Sequence, residues 1–188
     1  ISTVSRNLME GALIVIFVLV LFLGNFRAGL IVASVIPLAM LFAVAMMNLF
    51  GVSANLMSMG ALDFGLIVDG AVIVVESLTH KFFQSFRGQK LTQTQMDTEV
   101  SKGSSKIMSS AVFGQIIILI VYIPIFALSG IEGKMFKPMA QTVSFAIIGA
   151  LLLSITYVPL ISSLFLNKKI ASKENFTDKA MKWLSSKY

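Results

Sequence analysis

Gly60-Ala-Leu-Asp-Phe-Gly-Leu-Ile-Val-Asp-Gly-Ala-Val-Ile-Val-Val-Glu76 is an almost unbroken apolar run that carries three of the chain's nine acidic residues, Asp63, Asp69 and Glu76. A run of this kind, extended from Asn55 to Leu78, is long enough to cross a bilayer as a helix. Its carboxylates make that crossing expensive. Near the bilayer centre each Asp costs about 2.5 to 3.5 kcal/mol on an insertion scale, so Asp63 and Asp69 together cost roughly 5 to 7. The Leu, Ile, Phe and Val residues between Asn55 and Leu78 return only about 3 to 7 kcal/mol. Such a helix is expected to face protein or water, with its carboxyls protonated or paired, and not to face lipid.

Four further stretches are apolar over comparable lengths, so that five spans are expected, at about 8–26, 28–50, 55–78, 107–130 and 139–166. Backbone in hydrocarbon must satisfy its own hydrogen bonds, and these runs are too long for barrel strands, so each is read as a helix. The fold class expected is all-α integral membrane, with a transmembrane helical domain over residues 1–167. The composition agrees: 56% of the 188 residues are hydrophobic and 13% charged, too few charges to clothe a water-soluble globule. The formal charge of +6 does not point to nucleic acid, because the Lys and Arg residues fall in the segments between apolar runs and not on one face. With no cysteine and one histidine, His80, there are no disulfides, thiolate sites or His clusters. Neither a cofactor nor a resident metal site is expected, and no enzymatic activity. The first apolar run is read as a span and not a signal peptide, and Ile1 as a cut end.

Orientation follows from the basic residues in alternate connections. Arg6, Lys134 and Lys137 lie on one side. Arg27, Lys81, Arg87, Lys90, Lys102, Lys106, Lys168, Lys169, Lys173, Lys179, Lys182 and Lys187 lie on the other. That asymmetry predicts a cytoplasmic loop over 79–106 and a cytoplasmic tail. Gly24-Asn25-Phe26-Arg27 reads as a tight turn between the first two spans. Within the loop, a short polar helix is predicted from Gln93 to Lys102, capped by Thr92 and ended at Gly103. In the tail, Phe176, Ala180, Trp183 and Leu184 recur at helical spacing beside Lys179, Lys182 and Lys187, which predicts an amphipathic helix over 168–188 lying on the membrane surface.

The carboxylates carry the chemistry. On a continuous helix Asp69 and Glu76 share a stripe, Asp63 lies about 120° round, and the three spread over roughly 20 Å of depth. A ladder of carboxyls through a membrane suits a proton path, since each group can bind a proton and release it when its surroundings change. Two other readings stand beside this one: interhelical hydrogen-bond glue, and a cation path using hard oxygen ligands. Gly60, Gly65 and Gly70, spaced by five, let neighbouring backbones approach closely. Asp63-Phe64-Gly65 matches a kinase magnesium triplet without any accompanying kinase motif. Met46, Met47, Met57 and Met59 cluster in two spans as ordinary apolar filler or, less simply, as soft-metal ligands.

The stretch 60–76 resembles the fourth transmembrane helix of the heavy-metal efflux subclass of resistance-nodulation-division permeases. Residues 21–41, LFLGNFRAGLIVASVIPLAML, look like the turn between that family's second and third helices. Residues 129–140, SGIEGKMFKPMA, are similar to the signature loop before the sixth. The resemblance implies that this chain is a piece of a much longer homotrimeric permease of the bacterial inner membrane, holding helices two to six of its first half. It implies proton-driven export of a metal cation, with zinc, cobalt or cadmium ahead of copper or silver, in concert with a periplasmic adaptor and an outer-membrane channel. It places Asp63, Asp69 and Glu76 on the family's three acidic proton-relay positions, their basic partner lying in the second half. In the drug-exporting subclass two aspartates are adjacent at this point, whereas here Asp69 is followed by Gly70. Relatives often carry a proline at the start of the fifth helix, where this chain reads Gly103-Ser104-Ser105-Lys106. The alternatives are a drug or lipid exporter of the same superfamily and a non-transporting membrane assembly or translocation module.

Overall fold

The structure, a computed structural model, describes residues 2–53, 62–85 and 92–166. Among these are six helices and no strand: α1 Ser2–Leu23, α2 Phe26–Leu49, α3 Phe64–Ser85, α4 Gln93–Phe126, α5 Gly130–Ile155 and α6 Tyr157–Phe165. The all-α expectation holds for them. The predicted tail helix over 168–188 and Gly60 lie outside the described residues. By length and hydropathy α2, α4 and α5 can each cross a membrane, and Met9–Leu23 within α1 is a shorter apolar run.

The α1–α2 turn forms as its residues dictate. Gly24 takes a left-handed φ of 59°, and Asn25 caps α2 by accepting a hydrogen bond from Arg27 N at 3.1 Å. The two helices then run so close that a Cβ on Gly29 would lie 2.5 Å from Val20 Cγ2 and 2.9 Å from Val20 Cα. On its other face α2 packs against α5, where Gly149 meets Phe42, and against α6, where Ser34 Oγ and Tyr157 OH lie 3.0 Å apart.

Three boundaries differ from those read in the sequence. α3 continues past Leu78 to Ser85. α4 begins at Gln93 with Thr92 as its N-cap, as expected, but it does not stop at Gly103; it runs unbroken for 34 residues to Phe126. The reason is a helix crossing: Gly103 is buried against Leu78 Cδ2, which a Cβ there would approach to 2.7 Å. This glycine serves a close approach and not a helix end. At about 1.5 Å per residue α4 is roughly 51 Å long, well beyond the ~30 Å hydrocarbon core, so part of it stands clear of the membrane. Likewise 129–140 is not a loop, since α5 starts at Gly130 behind a turn in which that glycine has φ 69°.

The last expected span is two helices. Thr156 separates α5 from α6, and its N and Oγ1 both bond Leu152 O, at 3.1 and 2.7 Å. Pro159 has no N–H to offer the carbonyl of Ile155, so the ladder is interrupted there.

Small and branched residues fill the centre: Ala28, Val32, Val35 and Ala39 of α2 pack with Ala71, Val74, Val75 and Leu78 of α3 and with Ala146 and Ala150 of α5. Phe17, Leu21, Phe113, Ile120 and Val121 point outward from α1 and α4, which suits a surface solvated by lipid. Interior and outer surface are thus both apolar over these helices. α3, whose sequence contains Asp69 and Glu76, is the one described helix that touches all five others.

Candidate functional site: the carboxylates of the central helix

Asp63 is not part of the helical face. It sits just ahead of α3, accepts a hydrogen bond through Oδ1 from Gly65 N at 2.8 Å, and its carbonyl takes the Ile67 N–H at 3.4 Å. That is the geometry of an N-cap, and a carboxylate is favoured there by the helix dipole as well. The 120° offset expected on a continuous helix therefore does not describe Asp63. Gly65 keeps the cap free, since a Cβ on it would lie 3.2 Å from Asp63 Oδ1.

Asp69 and Glu76 are on the helix, two turns or about 10.5 Å apart. Both are exposed, together with Ile73 between them and His80 one turn further on, so 69, 73, 76 and 80 form one open stripe along α3. The opposite side, with Val68, Ala71, Val74, Val75 and Leu78, is buried. No cation stands within ion-pair distance of Asp69 among the described residues. Nor do the carboxylates gather round a point: no three of the described His, Asp and Glu residues could hold a metal ion together.

Gly70 is where the bundle is tightest beside the carboxylates. A Cβ at this position would lie 2.8 Å from Gln115 Nε2 of α4 and 2.9 Å from Ser154 Oγ of α5. Gln115 is only 3% exposed, and its Nε2 has no hydrogen-bond partner among the described residues. A buried donor left in this way costs about 1 to 3 kcal/mol. Sequence reasoning passed over Gln115, although a lone amide inside the apolar run 107–130 was a visible signal. It also missed Lys81 and Glu99, whose Nζ and Oε2 lie 2.7 Å apart across α3 and α4. Glu99 lies ahead of the apolar part of α4, and the hydrogen bond from Lys81, opposed in part by burial, holds its carboxyl below the usual glutamate range.

A groove of about 740 Å³ opens between α4 and the α5–α6 segment, bordered by Asp97, Ser101, Ser104, Met108, Pro159 and Ser163 among others. It includes none of the three carboxylates.

A helical membrane bundle organised around an acidic central helix is the arrangement of a multi-pass permease, and residues 1–188 match the AcrB/AcrD/AcrF family model throughout: the chain belongs to that family. Within the family it falls in the heavy-metal branch of the resistance-nodulation-division superfamily, as the sequence resemblance implied. It is 50% identical over 190 residues to the cobalt-zinc-cadmium resistance protein CzcA of Cupriavidus metallidurans, the alignment covering all of this chain and 18% of that protein. It is 46% identical over 176 residues to the nickel and cobalt resistance protein CnrA of the same organism, covering 93% of this chain and 16% of the relative. A crystal structure of a heavy metal efflux pump superposes with a TM-score of 0.74 at 40% identity, over 87% of this chain and 15% of the pump. The chain thus spans less than a fifth of the length of these relatives.

Proposed function

We propose that this chain is the proton-carrying core of one half of a permease that exports heavy-metal cations in exchange for protons. The observation that carries the reading is the open stripe of Asp69 and Glu76 on the helix that touches every other described helix. A carboxylate on such a helix is reached by protons, and its charge is felt by the whole bundle. In a low-dielectric interior a change of one unit charge matters far more than it does in water. Asp63 joins the relay from the end of α3, and the exposed stripe is the face on which a basic group from the second half of the permease docks. On this reading residues 1–167 belong to the membrane domain and 168–188 to the amphipathic cytoplasmic segment read from the sequence, which would lead towards the second half. The end of the bundle holding Lys81, Lys102 and Lys106 faces the cytoplasm of the bacterial inner membrane, as the distribution of basic residues favours. The whole assembly is a homotrimer working with a periplasmic adaptor and an outer-membrane channel.

The names of the relatives support cobalt, zinc, cadmium or nickel as cargo. Gly70 speaks against a drug exporter with adjacent aspartates, because a side chain there would collide with Gln115 and Ser154.

The test is Asp69→Asn in the complete permease, assayed for metal efflux in vesicles with an imposed pH gradient at matched expression. The amide keeps shape and hydrogen bonding but carries no proton, so transport is abolished while membrane insertion is unchanged or easier. Wild-type efflux from this variant would refute the relay and favour the glue reading, in which an amide serves as well as a carboxyl.

A further inference from the structure

At Gly70 three helices meet with no side chain of α3 between them. Gln115 of α4 and Ser154 of α5 both approach this glycine, each within 3 Å of where its Cβ would be. Ser154 donates its hydroxyl proton to Ala150 O at 2.7 Å. Gln115 Nε2 donates to nothing among the described residues and is closed off from solvent. Two N–H bonds are thus held uncommitted in the interior, against the backbone of the residue that follows Asp69.

Space filling does not account for this. Methionine has nearly the same length and volume and would fill the site without a stranded donor. Buried polar groups in native proteins are paired in the great majority of cases, and an exception calls for a reason. The backbone carbonyls of α3 are occupied by its own helical ladder, and the Ser154 hydroxyl is committed to Ala150 O. Asp69, the residue before Gly70, carries a strong acceptor. Successive residues on a helix lie about 100° apart, so a partial rotation of α3, with the free torsions of the Gln115 side chain, brings donor and carboxylate together.

We propose that Gln115 is a positioning residue for Asp69: its amide donates to the ionised carboxylate in one state of the pump and releases it when Asp69 takes up a proton. Proton uptake then changes how α3 sits against α4 and α5, which is how a local event becomes a movement of helices. This rests on the relay reading of Asp69, and the two fail separately. Efflux by Asp69→Asn removes the relay, whereas the outcome for Gln115 variants bears on this proposal alone.

The experiment uses the complete permease carrying Gln115→Met. Two quantities are read: metal efflux in vesicles under a pH gradient, and the infrared difference bands of the Asp69 carboxyl between its protonated and ionised states, identified by their absence in Asp69→Asn. The expected result is protein at wild-type abundance, efflux reduced tenfold or more at saturating metal with little change in KM, and Asp69 bands displaced from their wild-type frequencies. An unmoved band or wild-type efflux overturns the proposal, because a packing role would leave the carboxyl's hydrogen bonding alone. Should Gln115→Met fail to accumulate, Gly70→Ala carries the same test: its methyl displaces the amide while leaving Gln115 itself in place, and the same displaced bands and lowered efflux are required of it.

Discussion

Lys81 Nζ lies 2.7 Å from Glu99 Oε2, and the same ammonium reaches Glu99 O at 3.4 Å, so one side chain fastens α3 to α4 three residues beyond the Leu78–Gly103 crossing. The pair is only partly buried, with side-chain exposures of 33% and 23%. Its contribution is therefore below about 1 kcal/mol. Because the Glu99 carboxyl is held below its ordinary value of 4.5, that contribution is present above this pH and is lost as the pH falls through and below it. Glu99→Gln is expected to lower the unfolding temperature of the detergent-solubilised protein slightly at pH 7 and by less near pH 3. A deficit of equal size at both pH values would show that the pair's charge is irrelevant.

Asp63 caps α3, and on the proposed relay it also carries a proton; two substitutions divide the two. Asparagine caps a helix about as well as aspartate, whereas alanine loses about 0.5 to 2 kcal/mol. Asp63→Asn is expected to unfold like the wild type yet fail to couple efflux to the pH gradient, and Asp63→Ala to lose both. If Asp63→Asn pumps normally, capping is the residue's whole role.

Glycines in this bundle should differ sharply in their tolerance of a methyl group. Gly29→Ala drives a Cβ into the backbone of Val20 across the α1–α2 crossing and is expected to cost about 1 to 3 kcal/mol. Gly114→Ala meets nothing within 4 Å and is expected to change stability by no more than about 0.5 kcal/mol. Thermal unfolding of the two variants side by side checks this, and equal losses would mean that the close approach at Gly29 is not under compression.

The hydrogen bond between Ser34 and Tyr157 is a side-chain link from α2 to α6, beside the one that Arg27 donates to Phe165 O. Interhelical bonds of this kind average about 0.6 kcal/mol. Tyr157→Phe and Ser34→Ala should each cost about that much, and the double variant no more than either alone. Additive losses in the double-mutant cycle would show that the two hydroxyls act independently.

Much of this was legible in the residues. The apolar runs announced helices because nothing else crosses hydrocarbon, and Gly24-Asn25 and Thr92 marked their boundaries through local chemistry that needs no knowledge of the fold. Gly103 misled for the converse reason. A glycine within a helical pattern reads equally as an end or as a contact, and only the approach of Leu78 from another helix decides between them. Asp63 was placed on the helical face because the apolar pattern runs through it without a break, whereas a cap is defined by where the backbone turns. Gln115 went unremarked beside three carboxylates, although its amide carries the same signature of a polar group in an apolar run. The pairing of Lys81 with Glu99 depends on α3 and α4 each continuing beyond the apolar segments, which composition alone does not reveal.

The placement of α3 at the centre also bears on how the protein is made. Its apolar residues scarcely offset its carboxylates, so α3 gains little by partitioning into lipid alone and depends on neighbours to retain it. The α1–α2 hairpin precedes it in the chain and touches it along both helices, whereas α4, α5 and α6 emerge from the ribosome afterwards. Chain order and contact thus place the first two helices where they can serve as a scaffold while α3 inserts. A change that loosens the hairpin, such as one at Gly29, is then expected to show first as a failure to hold the acidic helix in the membrane during synthesis.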